Sequence, residues 1–149
     1  MLINVTNRPH TTWSPEQLAA AEKFGTIVDF PMPAPDAELG EEEIDRIAGL
    51  VVRRVERRLG MEDSAGVAED SAGGAEDSEG GAEGSAEKEC HAVVCQGDFV
   101  LVFRIVTMLK AKGITVLAPA FKRVTKPTLR PDGTTAPGYS FDFVRFRSY

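Results

Sequence analysis

The chain has 149 residues, which predicts one domain, and a formal net charge of −6 at pH 7. That charge is uneven, because residues 61–89 contain ten acidic residues and one lysine, and the rest of the chain carries +3. No apolar run approaches the roughly 20 residues of a membrane span, and the only two cysteines, Cys90 and Cys95, favour a soluble cytoplasmic protein over a disulfide-rich secreted one.

The first third of the chain predicts two strands separated by a helix. Residues 1–6 (MLINVT) and 26–30 (TIVDF) are short apolar runs typical of buried strands. Between them, Ser14 precedes Pro15 and stands three residues before Gln17. A hydroxyl N-cap, a proline at the first helical position and a glutamine in the first turn form a capping box, which starts a helix.

A second helix follows a proline-rich segment. Residues 31–35 alternate proline with other residues and favour an extended, polyproline-like conformation. Three glutamates, 41–43, then begin a helix in which acidic residues suit the first turn. Its apolar residues recur at helical spacing and predict one buried face, formed by Ile44, Ile47, Leu50, Val51, Val55 and Leu59.

Residues 61–89 have a different composition from the rest of the chain. They repeat a seven-residue unit of glycine, serine, alanine and acidic residues (EDSAGVA, EDSAGGA, EDSEGGA). This is not a coiled-coil heptad, because no two positions of the repeat hold large apolar residues. Such a segment cannot bury enough surface to offset its chain entropy. We therefore predict a disordered acidic insertion between two folded parts, residues 1–60 and 90–149.

The segment from His91 to Pro119 predicts a strand, a helix and a second strand. Ala92–Cys95 is a β-branched apolar run, and Gln96, Gly97 and Asp98 form a turn. A helix follows whose predicted buried stripe consists of Phe99, Val102, Phe103, Val106 and Leu109. Gly113 ends it, and residues 114–118 are again apolar. A βαβ unit of this kind makes its two strands parallel.

The last part of the chain predicts an antiparallel strand. Residues 121–124 continue or end the fourth strand, residues 131–135 (PDGTT) have turn composition, and residues 139–149 alternate aromatic with charged side chains. The order of elements is β-α-β-α-insertion-β-α-β-β. This order predicts an α/β fold, a small three-layer Rossmann-like sheet that is mostly parallel and ends in a C-terminal antiparallel strand.

Candidate site residues follow the first and third strands, where ligands of parallel sheets bind. Asn7, Arg8 and His10 follow the first strand, and Gln96, Gly97 and Asp98 follow the third. Arginine offers a permanent charge, histidine can exchange a proton near neutral pH, and glycine permits close approach of a ligand to the backbone. N–H groups at the start of the third helix would attract phosphate. Each residue also has a structural interpretation: Asn7 shapes a turn, Asp98 caps a helix, and His10 lies in a solvated loop.

Several familiar sites are absent from the sequence. Neither a GxGxxG fingerprint nor a GxxxxGK[ST] loop occurs. Cys90, His91 and Cys95 lack a fourth metal ligand, and a thiol in an apolar strand is a poor nucleophile. We therefore expect no metal and no cofactor. The arginines of residues 53–58 fit a solvated helix end, so no long nucleic acid is expected. The arginines of the last strand, Arg145 and Arg147, either protect a sheet edge or contact a phosphate or a second subunit.

Three motifs resemble a known family: residues 7–14 (NRPHTTWS), residues 96–99 (QGDF) and residues 144–149 (VRFRSY). They resemble small single-domain Rossmann-like proteins encoded beside type III CRISPR systems, distant relatives of CARF (CRISPR-associated Rossmann fold) domains. The similarity covers both ends of the chain and excludes residues 61–89. The resemblance implies binding of a cyclic oligoadenylate second messenger and, as for members proposed as ring nucleases, its cleavage to switch the antiviral response off. Because the sequence shows no adequate set of metal ligands, we expect this cleavage to proceed without a metal, by attack of a ribose 2′-hydroxyl that leaves a 2′,3′-cyclic phosphate.

The resemblance also implies roles for individual residues. The catalytic candidates are His10, Asp98 and Gln96, and the ligand-binding candidates are Asn7, Arg8, Trp13, Ser14, Gly97, Phe99 and Arg123. A symmetric ring of nucleotides suits a two-fold site, so a homodimer is expected. The alternatives are a non-catalytic sensor or sponge for the same messenger and a structural partner of the CRISPR machinery.

Overall fold

The computed structural model describes residues 1–61, 91–129, 131 and 133–149. Apart from Met61, the predicted acidic insertion lies outside these residues. In chain order the elements are β1 (Leu2–Val5), a short 3₁₀ helix (His10–Thr12), α1 (Pro15–Glu22), β2 (Ile27–Asp29), α2 (Glu41–Leu59), β3 (Ala92–Cys95), α3 (Phe99–Ala111), β4 (Thr115–Leu129) and β5 (Thr135–Ser148). The predicted α/β class is confirmed.

The sheet has the strand order β2-β1-β3-β4-β5. β1 is parallel to β2 and to β3, β3 is parallel to β4, and β5 is antiparallel to β4. The chain passes from β1 to β2 on one side and then returns across β1 to β3 on the other. The connection therefore reverses direction between β1 and β3. In a parallel sheet this reversal opens a crevice at the carboxyl ends of those two strands.

Helices cover both faces of the sheet, because successive side chains of β1 and β3 point to opposite faces and all of them are buried. On one face, α1 and its flanking residues Trp13 and Phe24 pack against Leu2, Val94 and Leu117. On the other face, α2 and α3 cover a larger core that includes Ile3, Val5, Val93, Cys95 and Val116. Each fully buried aliphatic side chain contributes roughly 1.5–3 kcal/mol. The three layers are thus held together by two separate apolar cores.

Helix ends follow the capping residues that the sequence contains. Ser14 Oγ accepts a hydrogen bond from Gln17 N at 3.3 Å, and Asp98 Oδ1 accepts from both Val100 N and Leu101 N at 3.0 Å. Gly60 ends α2 in the left-handed conformation, with a φ of 68°. A residue with a β-carbon is strained there, which explains the glycine.

Two of the predicted buried stripes are wrong in part. Phe99 is 91 % exposed and Phe103 is 66 % exposed, whereas Leu101 and Ile105 are fully buried. The buried face of α3 is therefore rotated about the helix axis relative to the predicted one. Its buried residues at helical spacing are Leu101, Val102, Ile105, Val106 and Leu109. In α2, Leu50 is exposed, and Ala48 and Val52 are buried instead.

β4 and β5 extend well beyond the body of the sheet. β3 pairs with β4 only from Thr115 to Leu117. Beyond that point, residues 118–129 and 135–147 pair only with each other, with a register shift at Ala120/Phe121. We call this two-stranded segment the ribbon; twelve residues of β-strand span roughly 40 Å. The sequence predicted the hairpin, but with shorter strands than the structure contains.

Candidate functional site

The loop after β1 is fixed by three side chains that converge on one backbone oxygen. Arg8 O accepts hydrogen bonds from Asn4 Nδ2 at 2.9 Å, Thr6 Oγ1 at 3.0 Å and Trp13 Nε1 at 3.2 Å. Asn4 is 1 % exposed and Thr6 is 6 % exposed. Hydrogen bonds from buried donors are expensive to break, because each group would lose its partner without gaining water. The backbone of Arg8 is therefore held in one position.

His10, in the same loop, is held by a carboxylate from β2. His10 Nδ1 lies 2.8 Å from Asp29 Oδ2, and His10 N donates to Asp29 Oδ1 at 3.0 Å. Asn4 Nδ2 also donates to Asp29 Oδ1, at 2.7 Å. Because Nδ1 is engaged, the other ring nitrogen, Nε2, is the one that can exchange a proton with a ligand. A histidine oriented by a carboxylate is a common arrangement for a general base.

The surroundings of Asp29 favour its charged form. Burial by itself would raise its pKa, but hydrogen bonds from Asn4, from His10 N and from the His10 ring, together with the attraction of the ring, lower the pKa below its ordinary value. Asp29 is thus a carboxylate at neutral pH. It can orient His10 and stabilise the protonated ring during a reaction.

The turn after β3 brings Gln96, Gly97 and Asp98 to the same edge of the sheet. Gln96 N donates to Val5 O at 3.2 Å, which ties the turn to β1. The N–H groups of Val100 and Leu101 are already bound by Asp98. Within the described residues, no hydrogen bond involves the N–H groups of Gly97, Asp98 or Phe99. These three N–H groups, rather than those inside α3, are available to an anion.

The need for glycine at position 97 has a different cause from the predicted one. A β-carbon on Gly97 would lie 2.6 Å from Met32 Cγ, and Met32 is buried. The sequence predicted close approach of a ligand at this point. In the structure the side chain of Met32 occupies the space instead. Glycine at position 97 therefore allows the turn after β3 to pack against the segment after β2.

A small, mostly apolar cavity lies where the two loops meet, beside α1 and β4. Its lining residues are Thr6, Arg8, Trp13, Gln17, Val94, Gln96, Pro119 and Phe121, and its volume is about 10 Å³. A space of this size accommodates about one water molecule. The guanidinium of Arg8 lies 6.0 Å from the centre of the Phe121 ring. The cavity is therefore a notch that holds at most one small group, and we call it the notch.

Gln17 is the unusual residue of this cavity. It is 4 % exposed, although it is polar. Its backbone N–H binds Ser14, but within the described residues its side-chain amide forms no hydrogen bond. A cavity-lining amide without a partner is a candidate contact for a bound ligand or water.

The C-terminus fixes the end of β3 from the other side. Tyr149 Oη donates to Cys95 O at 3.0 Å, and Lys110 Nζ donates to Tyr149 O. Burial raises the pKa of the Cys95 thiol to about 12, so Cys95 is neutral and unreactive at ordinary pH. Burial, followed by the nearby Cys95, also raises the pKa of Tyr149. This tyrosine acts as a neutral hydrogen-bond donor.

The structure places three of the predicted site residues in one cavity: Arg8, Trp13 and Gln96. Asn7 is exposed in the same loop, and His10 is paired with Asp29. Trp13 lines the cavity but is not free to stack on a ligand, because it is buried and packs against Phe146 with 5.9 Å between the ring centres. Gly97 contacts Met32 instead of lining the cavity.

The remaining predicted residues lie outside this cavity. Ser14 caps α1, and Phe99 is almost fully exposed at the start of α3. Asp98 lines a groove of about 390 Å³ on the opposite face, with Pro35, Leu39 and Arg104. Arg123 lies in the ribbon, 3.6 Å above the Tyr139 ring. A further groove of about 410 Å³, between the proline-rich segment and α2, contains none of the predicted site residues.

Four residues of the site were not predicted from the sequence: Asn4, Asp29, Gln17 and Phe121. A signal was present for two of them. Asn4 interrupts the apolar run of β1, and Asp29 interrupts that of β2; a polar residue in a short buried strand needs a partner. Gln17 was interpreted only as part of a helix cap. The role of Phe121 depends on the pairing of β4 with β5, which the sequence does not specify.

Two kinds of feature are absent from the part of the chain that the structure describes. Those residues contain no group of three or more histidine, cysteine, aspartate or glutamate side chains arranged to bind a metal ion. Among the helices in the same residues, none has the length and apolar character needed to cross a membrane.

Part of the chain is similar to a known protein family. The model of a family described as "Uncharacterized protein MJ1673 family" is similar to residues 76–147. This range is just under half of the chain and includes β3, α3, β4 and nearly all of β5. No curated protein and no solved structure matches the chain.

Proposed function

We propose that the protein binds a cyclic oligoadenylate at the carboxyl edge of β1 and β3 and cleaves it without a metal ion. The observation that carries this proposal is the fixed loop after β1, in which buried hydrogen bonds hold the backbones of Arg8 and His10. Enzymes gain much of their rate by holding reacting groups in position before the substrate arrives. The motifs of this loop are also those that resemble the CARF-related proteins.

Phosphate is bound by Arg8 and the turn after β3. The guanidinium supplies a permanent positive charge, and within the described residues the N–H groups of Gly97, Asp98 and Phe99 are free to donate to phosphoryl oxygens. Gln96 and Asn7 are exposed beside them and orient a ribose. Because the notch under Arg8 holds only one small group, the ring of nucleotides lies on the open surface above it.

Cleavage proceeds by attack of a ribose 2′-oxygen on the adjacent phosphorus. His10 Nε2 takes the 2′-hydroxyl proton, a bond forms between the 2′-oxygen and phosphorus, and the bond between phosphorus and the 5′-oxygen breaks. The 5′-oxygen takes a proton from water. The product is a linear oligoadenylate with a 2′,3′-cyclic phosphate, and no metal or redox partner is required. Arg8 and the N–H groups stabilise the charge that develops on the phosphoryl oxygens. Asp98 is needed mainly as the cap of α3.

A two-fold pair of such edges matches the symmetry of the ring, so we propose that the protein acts as a homodimer. The test is incubation with labelled cyclic tri-, tetra- and hexa-adenylate in EDTA, followed by product analysis. Linear products with 2′,3′-cyclic phosphate ends are expected for one ring size. Binding without turnover indicates a sponge or sensor, whereas absence of binding at every ring size overturns the proposal.

A further inference from the structure

The ribbon separates its side chains into two chemically different faces. In a paired ribbon, residues opposite each other point to the same face. One face carries the pairs Phe121 with Phe143, Arg123 with Phe141 and Thr125 with Tyr139, and we call it the aromatic face. The other carries Ala118 with Arg147, Ala120 with Arg145, Lys122 with Asp142 and Lys126 with Gly138, and we call it the basic face.

The aromatic face is packed near the sheet and open further out. Phe143 lies 5.0 Å from Phe146 and 5.9 Å from Phe121, between ring centres. Beyond them, Phe141 is 63 % exposed and Tyr139 is 53 % exposed. Such large rings on a projecting surface are unusual without a ligand or partner. The guanidinium of Arg123 stacks 3.6 Å above the Tyr139 ring and adds a cationic surface.

The ribbon is strongly basic. Its described residues include five cationic side chains, Lys122, Arg123, Lys126, Arg145 and Arg147, and one acidic side chain, Asp142. Within the described residues none of the five forms an ion pair. This concentration of unpaired positive charge contrasts with the net charge of −6 of the whole chain. The ribbon therefore favours an anionic partner.

We infer that the ribbon binds single-stranded nucleic acid, with bases stacked on Phe141 and Tyr139. Its phosphates are bound by Arg123 on the same face and by the long side chains of the basic face, which reach around the open edges of the ribbon. Exposed aromatic rings beside cations are the means by which proteins bind unpaired strands with little sequence preference. Residues two apart on one face are separated by roughly 7 Å, so each ring can stack on its own base. The expectation of no long nucleic-acid partner rested on the arginines of α2, whereas Arg145 and Arg147 of the last strand were expected to protect a sheet edge or to contact a phosphate or a second subunit.

Three other occupants fit part of these observations. A second ribbon would cover the rings, but it would leave the five cations without an anionic partner. A duplex would contact the cations but would leave the rings unused, because its bases are already stacked. An anionic bilayer would attract the charge without requiring aromatic rings at positions 139 and 141. The exposed rings and unpaired cations together favour an unpaired strand.

The test is fluorescence anisotropy with a fluorescein-labelled 12-nucleotide RNA that lacks adenine. The missing adenine makes this experiment independent of the proposed oligoadenylate site. The parent protein is expected to bind, and Tyr139→Leu and Phe141→Leu should each weaken binding roughly tenfold. Tyr139→Phe and Phe141→Tyr keep the rings and should bind within about twofold of the parent. Thermal unfolding of each variant checks that the exposed substitutions leave the fold intact.

Charge is tested separately from stacking. The Lys122→Gln/Lys126→Gln double variant should make the affinity less dependent on salt, lowering the slope of log K against log salt by about 0.7 for each phosphate that is no longer bound. The inference is overturned if the leucine variants bind like the parent, or if a duplex of the same length competes as well as the single strand. It is also overturned if the parent does not bind the RNA. In that case, self-association through the ribbon or binding to phosphatidylserine vesicles would identify the occupant instead.

Discussion

His10 and Asp29 are 19 residues apart in sequence, yet His10 Nδ1 lies 2.8 Å from Asp29 Oδ2. The contact links the loop after β1 to the end of β2, and Asn4 Nδ2 completes it by donating to the same carboxylate. Because His10 N also binds Asp29, both the backbone and the ring of the histidine are fixed. A histidine held in this way needs little reorganisation when a ligand arrives.

The first prediction concerns pH. The pKa of Asp29 is lowered in the folded chain, from an ordinary value of 3.8. The unfolded chain therefore takes up the proton first as the pH falls, and the stability due to this carboxylate is present at neutral pH and is lost below about pH 4. Asp29→Asn should show a smaller loss of unfolding free energy between pH 7 and pH 3 than the parent. Urea unfolding measures this difference, and equal losses would contradict the pairing.

The second prediction concerns the buried amide of Asn4. Asn4→Ala removes the donor to Arg8 O and to Asp29, and leaves a partly buried carboxylate with one partner fewer. We expect a loss of about 1–3 kcal/mol in the free energy of unfolding. Thr12→Ala is a suitable control, because the Thr12 hydroxyl binds Pro9 O at the exposed side of the same loop. An Asn4 variant as stable as the control would show that the buried hydrogen bonds do not hold the loop.

The sequence predicted the order and type of the elements well, because short β-branched runs and helix caps are local signals. Ser14 and Asp98 are recognisable as caps from their neighbours in the sequence alone. The site was harder to predict. Arg8 and His10 were identified from their position after a strand, but their partners come from β2 and β4. A single polar residue such as Asp29 in a three-residue strand does not indicate which loop it faces. The length of the ribbon was also missed, because residues 125–129 are polar and contain proline.

The third prediction concerns Gly97 and Met32. Gly97→Ala places a β-carbon 2.6 Å from Met32 Cγ, and overpacking of this kind costs about 1–3 kcal/mol. The destabilisation caused by Gly97→Ala should be smaller in a Met32→Ala background, because the side-chain atoms that the new β-carbon would meet are then absent. A double-mutant cycle by chemical unfolding measures this coupling. Additive effects of the two substitutions would show that the turn and the Met32 segment do not contact each other.

The fourth prediction concerns Gln17, whose side chain has no partner among the described residues. Gln17→Met has similar volume and no polar group to bury. The variant should be within about 1 kcal/mol of the parent in stability, because the substitution breaks no hydrogen bond of the amide. If the cavity receives a polar group of the ligand, the same variant should bind cyclic oligoadenylate more weakly. Calorimetry of binding beside thermal unfolding separates the two effects. A variant with lower stability and unchanged affinity would assign Gln17 to the fold alone.

We propose that Arg8 binds the phosphates of a cyclic oligoadenylate and that His10 exchanges the proton during its cleavage. The most direct measurement is a single-turnover rate and a dissociation constant, in EDTA, for Arg8→Ala, His10→Ala and a control, Arg53→Ala, on the exposed side of α2. We predict that Arg8→Ala binds more weakly, with less dependence on salt. His10→Ala should bind like the control and cleave roughly 10²-fold more slowly. Parent-like binding and cleavage by both variants would contradict the claim.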